Sequence, residues 1–228
     1  NQILELIRYY EFSYIPVELI SRIYEEFLAG GDDTLFSQKE KKQKDGIFYT
    51  PSHLAQLLVD EIMPLHQYIS IDIKSFTILD PACGSGIFLV LAFKRLVQWW
   101  RLQNSLKQPN IQTLKTILAC LYGVDKEYQA TKLAAFSLCL ALCDELSPKQ
   151  IINELKFSDL TENQILHSDF FIEHLLVKED KDSAQRSAFK KISNKKFSRI
   201  IGNPPFDRGA LNLYTKKWEK ENIDIPQG

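Results

Sequence analysis

"LDPACGSGIF", residues 79–88, gives three structural instructions in quick succession. The apolar run "SFTILD" (75–80) meets Pro81, which cannot donate to a sheet ladder, so a buried strand ends at Asp80. Small residues carry the turn that follows. Gly84 and Gly86 let the backbone come close to a ligand, and the next helix begins with N–H groups that favour a negative charge. A strand, a glycine turn and a helix make the opening unit of a sheet wound in βαβ fashion.

The same grammar repeats outward. "GSGIFLVLAFKRLVQWW" (84–100) is apolar nearly all round, which predicts a helix buried against a sheet. "CLYGVD" (120–125) reads as a second strand and residues 126–146 as another strongly apolar helix. "NQILHSD" (163–169) and "FSRIIGN" (197–203) read as a third and a fourth strand, the last stopped by Pro204-Pro205. Upstream, Thr50 as N-cap and Pro51 at the first helical position open a helix with Leu54, Leu57, Leu58 and Ile62 on one face. Pro16 opens an earlier amphipathic helix through Ile20, Ile23, Tyr24, Phe27 and Leu28, closed by Gly30-Gly31. Residues 38–45 are a polar loop, and residues 178–196 are polar and broken. Alternating strands and helices predict an α/β fold with a doubly wound, mainly parallel sheet and an N-terminal helical extension.

In such a sheet, ligands sit beyond the carboxyl ends of the strands, at the point where strand order reverses. Asp80, the Gly84–Gly86 loop, Asp125, Asp169 and Asn203 all fall at predicted strand ends. The dinucleotide fingerprint does not fit. Leu89 stands where its third glycine belongs, and Asp125 lies far beyond its acidic position.

Composition sets the outer bounds. With 228 residues, 45% hydrophobic, 25% charged and a net charge of −1, the chain reads as ordinary soluble globular protein with no overall attraction to nucleic acid or membrane. No apolar run reaches the length of a bilayer span, no signal-peptide pattern opens the chain, and the missing initial Met reads as a fragment. Lys190, Lys191, Lys195, Lys196, Arg199 and Arg208 face only one acid, Asp207, and read as a solvated loop. Cys83, Cys120, Cys139 and Cys143 form no CxxC pair, so they read as reduced thiols of a cytosolic protein, with no metal site.

"DPACGSG" followed later by "NPPF" resembles the amino-methyltransferases that use S-adenosylmethionine to methylate adenine N6 in DNA. "FYTP" (48–51) is similar to that family's additional cofactor motif, and the order FYTP, DPACGSG, NPPF matches its γ-type arrangement. "YEFSYIPVELISRIYEEFL" (10–28) is similar to the helical lead-in of large type IIG-like restriction–modification and phage-defence methylases.

The resemblance implies a Rossmann-like class I methyltransferase domain over residues 46–228, after a helical segment and linker over 1–45. It further implies that the sheet's remaining strands and a target-recognition domain lie beyond this stretch. It also implies a cytoplasmic protein of a bacterium or archaeon that binds double-stranded DNA, with other restriction or defence subunits or fused domains as partners.

Carried onto these residues, the resemblance places Tyr49, Thr50 and Pro51 at the methionine end of S-adenosylmethionine. Asp80, Pro81 and the Ala82, Cys83, Gly84 and Gly86 backbone hold its ammonium and carboxylate. Asp125 accepts from the ribose hydroxyls, Asp169 accepts from the cofactor's adenine amine, and Phe170 packs on that ring.

Asn203, Pro204, Pro205 and Phe206 then have a chemical rationale. The adenine amine is a poor nucleophile because its lone pair is delocalised. The Asn203 side-chain oxygen and the Pro204 carbonyl can accept its two hydrogens and turn the lone pair toward the methyl donor. Pro204 biases Asn203 to extended backbone, so the acceptors are held before the substrate arrives. Phe206 offers a stacking face to a base that has left the duplex. Other readings stay open: transfer to a protein glutamine or an RNA base, or a non-catalytic cofactor- or DNA-binding module of a defence complex.

Overall fold

The computed structural model describes residues 50–170, 192 and 194–204. Four strands lie among them: β1 (Ile78–Asp80), β2 (Leu121–Asp125), β3 (Ile165–His167) and β4 (Arg199–Ile200). They form one parallel sheet in the order β3-β2-β1-β4, with Ile78 opposite both Leu121 and Arg199, and Asp125 opposite His167. All four expected strands are present with narrower bounds. β4 is the shortest, and its last bond to β1 runs from the Ile201 N–H to the Leu79 carbonyl at 2.9 Å.

β1, β2 and most of β3 are buried on both faces, which explains their unbroken apolar runs, whereas Ile200 of β4 is exposed. Ile78, Leu121, Ile165 and Ile201 point into the larger core, while Leu79, Tyr122, Val124 and Leu166 join Ile192 in a smaller cluster on the other face. The larger core is built on α2 (Ile87–Gln103), whose Phe93, Leu96 and Trp99 are fully buried, with the Trp99 ring edge-on to Phe76 at 5.4 Å. α4 (Tyr128–Cys143) packs beside it through Ala134, Leu138 and Ala141.

α1 (Ser52–Ile62) departs from expectation in two ways. The N-cap position is Pro51 and no side chain caps the helix, so Thr50 is not its cap. The buried stripe is Ala55, Val59 and Met63, all fully covered, whereas Leu54, Leu57 and Leu58 are 46%, 55% and 45% exposed. The cause lies in α2. Arg95 donates to the Met63 carbonyl and to Asp60, which fixes the end of α1 with its small-residue stripe inward.

Two helices had no counterpart in the sequence reading. α3 (Ile111–Leu118) is capped by Asn110, which accepts from the Thr113 N–H at 2.8 Å, and α5 (Pro148–Asn153) by a Ser147–Gln150 capping box. Single 3-10 turns span Leu65–Ile69 and Leu160–Glu162. No helix among the described residues is long and apolar enough to cross a membrane. The expected helix from Pro16, the loop at 38–45 and most of 178–196 lie outside the described residues.

Candidate active site

β1 is flanked by β2 on one side and β4 on the other, so chain order reverses between β1 and β4. A crevice beyond their carboxyl ends is where such a sheet takes a ligand. Asp80 ends β1 there, and Gly202 passes directly against it. A Cβ at Gly202 would stand 2.6 Å from Asp80 Oδ1 and 3.3 Å from Pro81. Hydrogen at that position is what allows the two strand ends to close up.

The glycine loop is pinned at four points. The Ala82 N–H donates to Asp80 Oδ1 at 3.1 Å and the Cys83 N–H to the Val124 carbonyl at 2.9 Å. Next, the Gly84 N–H donates to Asp125 Oδ2 and the Gly86 N–H to the Cys83 carbonyl, both at 2.8 Å. Gly84 and Gly86 take φ of +51° and +86°, where a side chain is strained. Gly86 also lies so close to α4 that a Cβ would be 3.0 Å from Ala134. As the N-cap of α2, Gly86 offers no side chain to the first turn, and no acid sits in that turn. The start of α2 is therefore open to a carboxylate.

Asp125 has a structural part that the sequence reading did not give it. Oδ2 holds the glycine loop, and Oδ1 accepts from the Glu127 N–H at 2.8 Å. Each oxygen keeps a second lone pair, so the carboxylate can still accept from a ligand hydroxyl. Burial raises its pKa, against the lowering effect of those two N–H groups. Asp80 is fully buried, and its Oδ2 has no partner among the described residues. Burial pushes its carboxyl up to about 8, opposed by the Ala82 N–H and reinforced by Asp125. A carboxyl oxygen without a partner and an open helix start, both within residues 80–87, suit a ligand that carries both an ammonium and a carboxylate.

The other expected residues are placed as follows. Cys83 is buried, and burial followed by the Asp80 and Asp125 charges pushes its thiol well up, so it contributes backbone and not a nucleophile. Asp169 is half-buried just past β3, beside Ser168, whose N–H donates to the Asp125 carbonyl at 2.9 Å. Phe170 packs on the Leu79–Tyr122–Leu166 cluster. Asn203 and Pro204 follow Gly202, and Asn203 Nδ2 donates to Thr50 Oγ1 at 3.1 Å. That bond joins the segment of Thr50 and Pro51 to the end of β4. Tyr49, Pro205 and Phe206 lie outside the described residues.

Two basic residues near β4 are committed to packing. Arg199 donates to the Ile62 carbonyl at 2.9 Å and lies over the Phe76 ring, and Lys195 lies over Tyr122. Among the described residues no group of three or more His, Cys, Asp or Glu side chains gathers to hold a metal.

A parallel sheet with a glycine loop and strand-end carboxylates at its switch point is the arrangement of a class I methyltransferase. The chain belongs to the N-6 DNA methylase family, whose profile matches residues 17–225. It is 26% identical over 223 residues to the type II restriction enzyme and methyltransferase RM.Eco57I of Escherichia coli, covering 86% of this chain and 22% of that protein. It is 30% identical over 145 residues to the type I restriction enzyme MjaIX methylase subunit of Methanocaldococcus jannaschii, covering 63% of this chain and 21% of that one. A type II methyltransferase, M.VspI of a Vibrio species, is 37% identical over 78 residues, 34% of this chain and 15% of its own length. The chain thus spans about a fifth of the length of the first two relatives. No solved structure matches it.

Proposed function

We propose that this chain forms the cofactor-binding and catalytic part of an enzyme that methylates adenine N6 in double-stranded DNA, within a restriction–modification or related phage-defence system of a bacterial or archaeal cytoplasm. The observation that carries the reading is convergence. The pinned glycine loop with its orphaned Asp80 oxygen and the Asn203-Pro204 turn end adjacent strands at one switch point.

The residues fit S-adenosylmethionine, which supplies an electrophilic methyl group on a sulfonium. The open N–H groups at the start of α2 bind the methionine carboxylate, while the pinned Ala82–Gly86 backbone shapes the cradle around it, with Pro81 setting the turn. Asp80 Oδ2 meets the ammonium, directly or through one bridging water. Tyr49, Thr50 and Pro51 border that end, Asp125 accepts from the ribose, and Asp169 and Phe170 hold the adenine. Asn203 Oδ1 and the Pro204 carbonyl accept from the target amine, and Pro205 and Phe206 continue the clamp with stiffness and a stacking face. This chain then works mainly by alignment, since it holds acceptor and donor in line and needs no base before transfer.

The test is to incubate the full-length protein with unmethylated duplex DNA and methyl-labelled S-adenosylmethionine, then digest the DNA and identify the labelled nucleoside. N6-methyldeoxyadenosine is expected. Label on cytosine, on RNA or on a protein glutamine, or no transfer by protein that binds the cofactor, contradicts the reading.

A further inference from the structure

We propose that His167 is a positioning residue for Asp125: acting through the Lys126–Glu127 peptide, it holds that carboxylate where it can accept from the ribose hydroxyls of the cofactor. The inference deepens the methyltransfer reading above and rests on it. Asp125 and His167 face each other as the last pair of the β2–β3 ladder. Just beyond them the Ser168 N–H covers the Asp125 carbonyl at 2.9 Å. One residue further along the chain leaving β2, the imidazole continues the pairing with a side chain. His167 Nε2 lies 3.0 Å from the Lys126 carbonyl oxygen. A carbonyl can only accept, so Nε2 carries the proton and donates it.

That carbonyl shares a peptide plane with the Glu127 N–H, which donates to Asp125 Oδ1 at 2.8 Å. In a trans peptide the C=O and N–H point in opposite directions from one rigid plane. His167 therefore holds one edge of the plane and Asp125 the other, and turning the plane would break both bonds together. On the far side of the carboxylate the Gly84 N–H fixes Oδ2 at 2.8 Å. Both oxygens are thus held, and the remaining lone pair of each keeps a defined direction. The Tyr128 ring, at the start of α4, lies 5.5 Å from the imidazole and is tilted to it by 57°, which limits how far the imidazole can turn away. Without the His167 bond the peptide would wander and release Oδ1. Binding would then have to order the carboxylate as well as the ligand, which lowers affinity.

The experiment separates the hydrogen bond from the ring. His167→Phe keeps an aromatic face against Tyr128 and loses the donor. His167→Gln loses the ring and keeps an N–H that can reach the same carbonyl, and His167→Leu loses both. Each is made in the full-length protein. The S-adenosylmethionine dissociation constant, hydrogen exchange at the Glu127 and Ser168 amides, and the melting temperature are read for all three. His167→Phe and His167→Leu should weaken cofactor binding about threefold to tenfold, the scale of one hydrogen bond, and speed exchange at Glu127 while Ser168 stays protected. His167→Gln should recover most of the affinity and of the Glu127 protection. Unchanged affinity in a folded His167→Phe or His167→Leu protein, His167→Gln no better than His167→Leu, unchanged exchange at Glu127, or a loss of affinity that merely tracks melting temperature would overturn the inference. Failure of the unsubstituted protein to bind S-adenosylmethionine would instead remove the reading on which it rests.

Discussion

Asp80 has the same carboxyl chemistry as any aspartate, but its surroundings reverse the usual preference for charge. Fully buried, it is held neutral to about pH 8, whereas in the unfolded chain it ionises near the ordinary 3.8. Between those values the folded state binds the extra proton, so the stability contributed by Asp80 is complete below about pH 4 and is lost as pH rises toward 8. Denaturation of the ligand-free protein between pH 5 and 8 should show stability falling with pH, and Asp80→Asn should remove most of that slope. An unchanged slope in the variant would place the buried proton elsewhere. The same proton should leave when a cationic ammonium pairs with Oδ2. Cofactor titration at pH 7 in buffers of different ionisation enthalpy should reveal proton release, smaller at pH 9 and absent in Asp80→Asn. That Asp80 ends a strand beside the glycine loop was legible from the apolar run before Pro81. Its neutrality was not, because burial depends on Gly202 arriving from 122 residues downstream.

The elements divide by how local their determinants are. β1, β2, β3, α2 and α4 were readable because their apolar runs are bounded by nearby proline, glycine or acid. α3 and α5 were also readable in principle, through Asn110 after Pro109 and through the S-P-x-Q pattern at 147–150, but their short runs give weak periodicity. Asn110→Ala should lower stability by about 1 kcal/mol with cofactor affinity unchanged, since that cap lies on a helix away from the glycine loop. The inward face of α1 was misread because leucines outvoted Ala55 and Val59, and the groups that hold the end of α1, Arg95 at Met63 and Asp60 and Arg199 at Ile62, lie far from it in sequence. The approach of β4 to β1 rests on Gly202. Gly202→Ala must displace the Asp80 carboxyl from a Cβ that would sit 2.6 Å away. The variant should lose about 1–3 kcal/mol in chemical denaturation, the range for an overpacked buried site. Near-zero loss would mean the strand ends are less tightly apposed.

At the scale of the whole chain, the parallel sheet followed from the alternation of strands and helices. Its order did not, since nothing in the periodicity of "FSRIIGN" says that β4 adds beside β1 and not beside β3. That order matters most for function, because it brings Asn203 to the glycine-loop end of the sheet and into bonding range of Thr50. Under the proposed function two jobs fall on two sides of β1: the loop and Asp125 would bind the cofactor, and Asn203 with Pro204 would align the base. The most direct test of that division is Asn203→Ala in the full-length protein, with cofactor affinity and single-turnover methyl transfer to DNA measured side by side. The account predicts unchanged affinity and a transfer rate reduced about a hundredfold or more, the scale of losing a preorganised contact to the reacting group. Wild-type transfer by that variant would contradict it.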